Sequence, residues 1–186
     1  MSIASYALNR SMAFVSRWHA RKTTLVDNLA THHYFVVRNA RLVCRALYKY
    51  GIAKPDEKLV MDVALVHDEV EEETGDITGR AKRLYPQFRD AVHRIEQQVI
   101  PQMYQELPEP LDKEYADLAL LHTFNPEGLE QQIVRYADKL DAYNFVFHEV
   151  AVGNTLMAPV LEEIQRELEQ FKWPWLQTLR AETGLP

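Results

Sequence analysis

Disulfide bonds cannot organise this chain, because its 186 residues contain a single cysteine, Cys44. A chain of that length buries enough surface to fold on its own core, and a lone thiol, expected in that core, fits a reducing compartment, so a cytoplasmic protein is expected. Glycine is scarce, at 6 residues, and the valine-isoleucine-threonine alternation of half-buried strands is nearly absent. The chain therefore reads as all-α rather than as a sheet protein. No stretch approaches the roughly 18 uninterrupted apolar residues of a membrane span. The N-terminus also lacks a basic segment followed by an apolar run and a small-residue cleavage site, so neither a membrane nor an export route is expected. Cations are in deficit as well, with a net charge of -6. That balance argues against nucleic acid as a partner and requires any phosphate to be held by a local cluster of cations.

What is present is helix after helix. Hydrophobic residues make up 47% of the chain, an ordinary globular fraction, and no repeat or low-complexity segment breaks it, so a single domain over residues 1–186 is expected. The periodicity predicts a first helix from about Ile3 to Arg17 and a second from an N-cap at Thr31 to Tyr50, where Gly51 ends it. A third should run from Glu57 to near Glu73, and a fourth from Pro86 to about Leu107, kinked or divided at Pro101. A fifth covers Lys113 to Thr123 and stops before Asn125-Pro126, and a long sixth runs from Glu127 to Val152, where Gly153 stops it. A seventh continues to Phe171, and Trp173-Pro174-Trp175 separates it from a short terminal helix. The aromatic cluster there packs either at home or across an interface, and core packing is the expectation.

The chemistry concentrates where an apolar helical run turns acidic, in Val63-Ala64-Leu65-Val66-His67-Asp68-Glu69. A neutral imidazole and a carboxylate at the edge of a core offer a nitrogen and an oxygen to a divalent cation. His32 and Asp138 are the best candidates for further ligands, since each lies in a mostly apolar helical pattern. The alternatives are a core-edge histidine for His32 and a salt bridge from Asp138 to Arg135, three residues earlier. Asp141 shares the stripe of Val134, Asp138 and Phe145, where an unpartnered acid would be costly, so it reads as support for Asp138 or for a cation rather than as a ligand.

Arg17-Trp18, Asn28 four residues before His32, His67-Asp68-x-x-Glu71-x-x-Thr74-Gly75-Asp76, and Ala137-Asp138-x-Leu140-x-Ala142-Tyr143 occur in this order over residues 14 to 146. The set resembles the HD-domain metal-dependent phosphohydrolases, in their 5'-deoxynucleotidase branch. The resemblance implies a helical HD-domain bundle in which His32, His67, Asp68 and Asp138 hold a divalent metal: manganese, cobalt, zinc or magnesium. One departure is local: the family's usual Glu-His-Ser is Thr31-His32-His33 here, so His33 is an added polar neighbour.

The resemblance assigns further roles. Glu71 becomes the catalytic acid/base, although its neighbours Glu69, Glu72 and Glu73 read as a solvated helix end. Arg17 and Trp18 would pack against phosphate and deoxyribose, with the indole leaving no room for a 2'-hydroxyl, although such a pair often belongs to a core edge. Asp76 would contact the 3'-hydroxyl, unless it merely caps a following short helix. Lys82, within the cation cluster Arg80, Lys82 and Arg83, would bind phosphate. The implied activity is release of phosphate from deoxynucleoside 5'-monophosphates. Its alternatives are a small phage-type deoxynucleoside triphosphate triphosphohydrolase and a catalytically silent nucleotide-binding protein. The implied partner is a small nucleotide, and the implied assembly a homodimer or larger homo-oligomer.

Overall fold

Asn28 starts the first long helix, because its side-chain oxygen accepts the Thr31 N–H at 2.9 Å and so satisfies an amide that a helix start leaves without a partner. Thr31 was the expected cap, but Asn28 also pairs with Ser16 in an isolated antiparallel bridge, which fixes the backbone three residues earlier. This computed structural model describes residues 10–124 and 127–186, with residues 122–124 by their backbone alone. Its helices, in chain order, are α1 (Leu29–Lys49), α2 (Glu57–Val66), α3 (Glu71–Thr74), α4 (Gly79–Leu84) and α5 (Pro86–Tyr104). They continue as α6 (Leu111–Phe124), α7 (Leu129–Ala151), α8 (Ala158–Gln170) and α9 (Pro174–Thr183). Among the described residues there is no strand, and no helix is long and apolar enough to cross a membrane.

Three expectations change. Residues 3–9 of the expected first helix lie outside the described residues. Of the rest, only Ser11–Phe14 is helical, as one 3-10 turn, and Val15 is extended. Backbone hydrogen bonds explain the difference: Arg17 donates to Asp27 at 3.2 Å and Leu29 donates to Val15 at 3.0 Å, so the segment pairs with the chain entering α1 instead of coiling on itself. The expected helix from Glu57 to Glu73 is broken after Val66, where the amides of Glu69, Glu71, Glu72 and Glu73 all bond three residues back. Such tightening brings side chains three apart into register, which matters for Asp68 and Glu71. Pro101, finally, does not divide α5. It lies in that helix's last turn, four residues from Tyr104 counting both ends. The Asn125-Pro126 stop falls outside the described residues.

The described chain forms two compact units, one of residues 10–21, 27–31 and 66–124, the other of residues 22–26, 32–65 and 127–186. In the first, α5 packs on α4 and α6, and its buried Ile100 and Tyr104 meet Val66, Val70, Leu107, Ala116 and Ala119. The Tyr104 hydroxyl donates to Glu69 at 2.5 Å, which anchors the turn bearing His67 and Asp68 to that core. In the second, α1 buries Val36, Ala40, Val43, Cys44 and Leu47 at helical spacing, and α7 packs on α8. The terminal aromatic cluster packs at home, as expected: Trp175 is buried, meets Tyr136 edge-on, and donates its indole N–H to Gln132 at 2.8 Å. Glu149, fully buried on α7, accepts the backbone N–H groups of Thr24 and Leu25 and the amide of Asn154.

Candidate active site

His32 lies in the first turn of α1 with no exposed surface. Its Nδ1 is 2.7 Å from Asp141 Oδ2, and its Nε2 is 3.3 Å from Asp138 Oδ1. A carboxylate can only accept, so Nδ1 donates to Asp141; in the neutral ring, the form that binds a cation, the lone pair is then on Nε2, on the side of Asp138. Asp138 and Asp141, three residues apart on α7, thus serve one imidazole from two sides. The support expected from Asp141 acts on the ring rather than on Asp138. The neighbouring His33 instead directs Nδ1 to the Leu65 carbonyl at 3.1 Å, a polar contact that also joins α1 to α2.

His67 is buried and its Nε2 is 3.4 Å from Asp68 Oδ2, while Arg17 Nη1 approaches the same oxygen to 3.9 Å. The four residues His32, His67, Asp68 and Asp138 each offer a ligand atom, and these atoms all lie within 4.8 Å of one another. Two imidazole nitrogens and two carboxylate oxygens give a donor set of net charge -2. That set fits a divalent transition metal better than an all-oxygen ion such as magnesium.

Glu71 adds a second reason to expect a polar guest. It is buried, and its Oε2 has no hydrogen-bond partner among the described residues. Burial pushes its carboxyl up to about 9, the charges of Asp68 and Asp76 add to the rise, and Arg17 and Lys82 oppose it. The acidic run splits only in part as expected: Glu73 is exposed and Glu71 turns inward, but Glu69 and Glu72 are half-buried and Glu69 accepts from Tyr104 instead of being solvated. Asp76 is 3.9 Å from His19 Nδ1, and α4 begins at Gly79 without a side-chain cap, so the capping alternative for Asp76 does not hold. Lys82 on α4 is 3.8 Å from the buried Glu96 of α5. Arg80 and Arg83 are exposed.

Arg17 and Trp18 converge on Asp27. Arg17 Nε is 3.4 Å from Asp27 Oδ2, and the Trp18 indole N–H donates to that same oxygen at 3.2 Å. Trp18 adopts φ 59, a left-handed conformation uncommon for a bulky residue.

Sequence reasoning missed Asp27, Glu96, Glu149 and His19. For Glu96 a signal existed, since Val92, Glu96 and Ile100 recur every fourth residue and all three are buried. An acid on an apolar stripe needs a partner. Asp27, beside Asn28, reads like one more helix-cap residue, and nothing in the sequence marks His19.

Comparison with known proteins identifies the family and the fold. A family model described as YfbR-like 5'-deoxynucleotidase matches residues 5–182. A 5'-deoxynucleotidase of Vibrio parahaemolyticus is 25% identical over 169 residues, covering 89% of this chain and 84% of the relative. Among solved structures, an HD-domain phosphohydrolase from Listeria innocua superposes with a TM-score of 0.76 at 22% identity, covering 100% of this chain and 92% of the other. The cyanophage S-2L HD phosphohydrolase DatZ, bound to dA and one catalytic zinc ion, superposes with a TM-score of 0.59 at 22% identity, over 91% of this chain and 93% of its own. These two likenesses establish a shared fold, and the match along nearly the whole chain establishes the family: the protein belongs to the YfbR-like 5'-deoxynucleotidases.

Proposed function

We propose that the protein is a metal-dependent phosphohydrolase that releases inorganic phosphate from 2'-deoxynucleoside 5'-monophosphates. The observation that carries this reading is the convergence of His32, His67, Asp68 and Asp138 within 4.8 Å, in a chain whose family carries the deoxynucleotidase name. A divalent ion held by these four residues would supply charge that neutralises phosphoryl oxygens and acidifies a water. Asp141 holds the His32 ring in the form that puts the lone pair on Nε2, the atom that would bind the ion. Glu71 carries the proton delivered to the leaving 5'-oxygen, a role suited to a carboxyl whose burial keeps it protonated near neutral pH. Arg17 and Lys82 offset the phosphate charge. Trp18 closes the space that a 2'-hydroxyl would need, and Asp76 accepts from the 3'-hydroxyl.

The same reading takes residues 1–186 as one HD phosphohydrolase domain in the cytoplasm, working as a homodimer or larger homo-oligomer. Its support is the family match over residues 5–182 and the single, buried Cys44. Exposed Tyr34 and Leu42 on α1 are apolar surface that an assembly would cover.

The test is a matched panel of ribo- and deoxynucleoside mono-, di- and triphosphates, each with manganese, cobalt, zinc or magnesium, with the phosphate product identified. Free phosphate from deoxynucleoside monophosphates is expected. Tripolyphosphate from deoxynucleoside triphosphates would replace the reading by a triphosphohydrolase, and no product with any metal would leave a binding protein.

A further inference from the structure

We propose that Asp27 is a positioning residue that sets sugar selection, by holding the Trp18 indole and the Arg17 guanidinium in one joint arrangement. The inference rests on the reading above, in which those two side chains meet the deoxynucleotide.

The backbone poses the problem that Asp27 solves. Trp18 has φ 59, and for an L residue with a large side chain the left-handed region is disfavoured, because Cβ crowds the following carbonyl oxygen. Such a conformation persists only where its surroundings fix it, and it clusters where geometry serves function. Around Trp18 the constraints are specific. On one side Arg17 N–H is held by the Asp27 carbonyl at 3.2 Å, and on the other Arg21 N–H closes a turn on the Trp18 carbonyl at 2.8 Å. The side chains are then gathered by a single atom, since Asp27 Oδ2 accepts the Trp18 indole N–H at 3.2 Å and is 3.4 Å from Arg17 Nε.

Asp27 is itself well fixed. It is 7% exposed, and it precedes Asn28, which both pairs with Ser16 and caps α1. The helix so capped carries His32 in its first turn. The sugar-facing indole is thereby referred, through Asp27 and Asn28, to the same backbone that carries a metal-ligand candidate. Arg17 gains a direction too: a guanidinium is a rigid fork, so engaging Nε from one side leaves its outer nitrogens for the other, where Nη1 is 3.9 Å from Asp68 Oδ2. A neutral side chain at position 27 cannot hold both groups. An amide retains an acceptor for the indole but loses the charge that pairs with Arg17.

The experiment compares the parent with Asp27→Ala and Asp27→Asn by two independent readouts. The first is kcat/KM on dAMP and AMP with the activating metal. Asp27→Ala should narrow the deoxy-to-ribo ratio by about tenfold or more, because displacements of about 1 Å near reacting atoms change rates by up to about 100-fold. Asp27→Asn should recover most of that ratio while retaining a raised KM for both sugars. The second readout needs no turnover: the chain has three tryptophans, so its 1H–15N spectrum has three indole cross-peaks, and Trp18→Phe identifies one of them. That peak should move in Asp27→Ala while the other two stay. A ratio within twofold of the parent in Asp27→Ala, or an unmoved Trp18 peak, would overturn the proposal, as would a ratio lost equally in both variants. Failure of the underlying functional reading is seen separately, in a parent that makes no phosphate from dAMP or shows no preference over AMP.

Discussion

At the scale of single residues the proposed roles of ligand, support and proton carrier fall to different side chains, and each can be removed alone. Asp141 touches His32 Nδ1 at 2.7 Å and contributes no ligand atom to the four-residue cluster. Replacing it with Asn removes the negative charge behind the ring, and loss of such a partner weakens metal affinity about 10- to 100-fold. Titration against a competing chelator measures this, and an unchanged dissociation constant would make Asp141 a mere core contact. For Glu71, substitution by Gln keeps shape and removes the proton, so metal should still bind while kcat falls on the order of 100-fold. The sign of its pH dependence follows from the role proposed for it as an acid: activity should need the protonated form and decline as pH rises through the carboxyl's pKa. A dication beside Asp68 offsets the repulsion that helps raise Glu71, so this alkaline limb lies at or below about 9. Glu71→Gln should lack the limb.

At the scale of elements, the connection from α3 to Asp76 depends on one glycine. Gly75 has φ 72 and ψ 160, a combination essentially confined to glycine, and a Cβ built there meets nothing within 4 Å. The cost of Gly75→Ala is therefore conformational rather than steric, about 1–3 kcal/mol, seen as a lower melting temperature. A displaced Asp76 should also raise KM for deoxynucleotides, and a variant with parental stability and KM would mean that the turn relaxes freely. Elements differ in how legible they were. The expected helices near α5, α6 and α7 are present because their apolar periodicity and the flanking Pro86 and Gly153 act locally. The break after Val66 was not legible, since Val66-His67-Asp68-Glu69 contains no glycine or proline to stop a helix, and the switch to three-residue hydrogen bonding arises with the anchoring of Glu69 by Tyr104, a residue 35 positions away. The segment Val15–Arg17 was misread for the same reason: its partners at Asp27 and Leu29 lie across a loop. The four candidate ligands were legible through motif order, whereas Asp27 and Glu96 act only through side chains that the sequence does not place together.

At the scale of the whole molecule, a bound ion and folding are linked. An unfolded chain does not hold four ligand atoms within 4.8 Å, so a metal that binds only the folded form stabilises it, by about 2.7 kcal/mol at 100 times its dissociation constant. Stripping metal with a chelator should lower the melting temperature of the parent and leave Asp68→Ala unchanged; equal shifts in both would place the ion elsewhere. Glu149 supplies a different kind of protection. Its carboxylate gathers the amides of Thr24 and Leu25, and Asn154 closes the same cluster onto the Lys22 carbonyl at 3.0 Å. Burial pushes the Glu149 carboxyl up, but hydrogen bonds from Asn154, Thr24 and Leu25 outweigh it, and the group lies below its usual range. A depressed pKa means that this contribution is present at neutral pH and above, and is lost as pH falls below the ordinary carboxylate range. The loop so held begins beside Arg21 and Lys22, two exposed trypsin sites, so its resistance to nicking is set by the free energy of local opening rather than of global unfolding. Glu149→Gln, which keeps the size but replaces one acceptor by a donor, should hasten trypsin cleavage after Arg21 or Lys22 well before the melting temperature is approached. Equal cleavage rates in parent and variant would show that the loop is guarded by something other than this one buried charge.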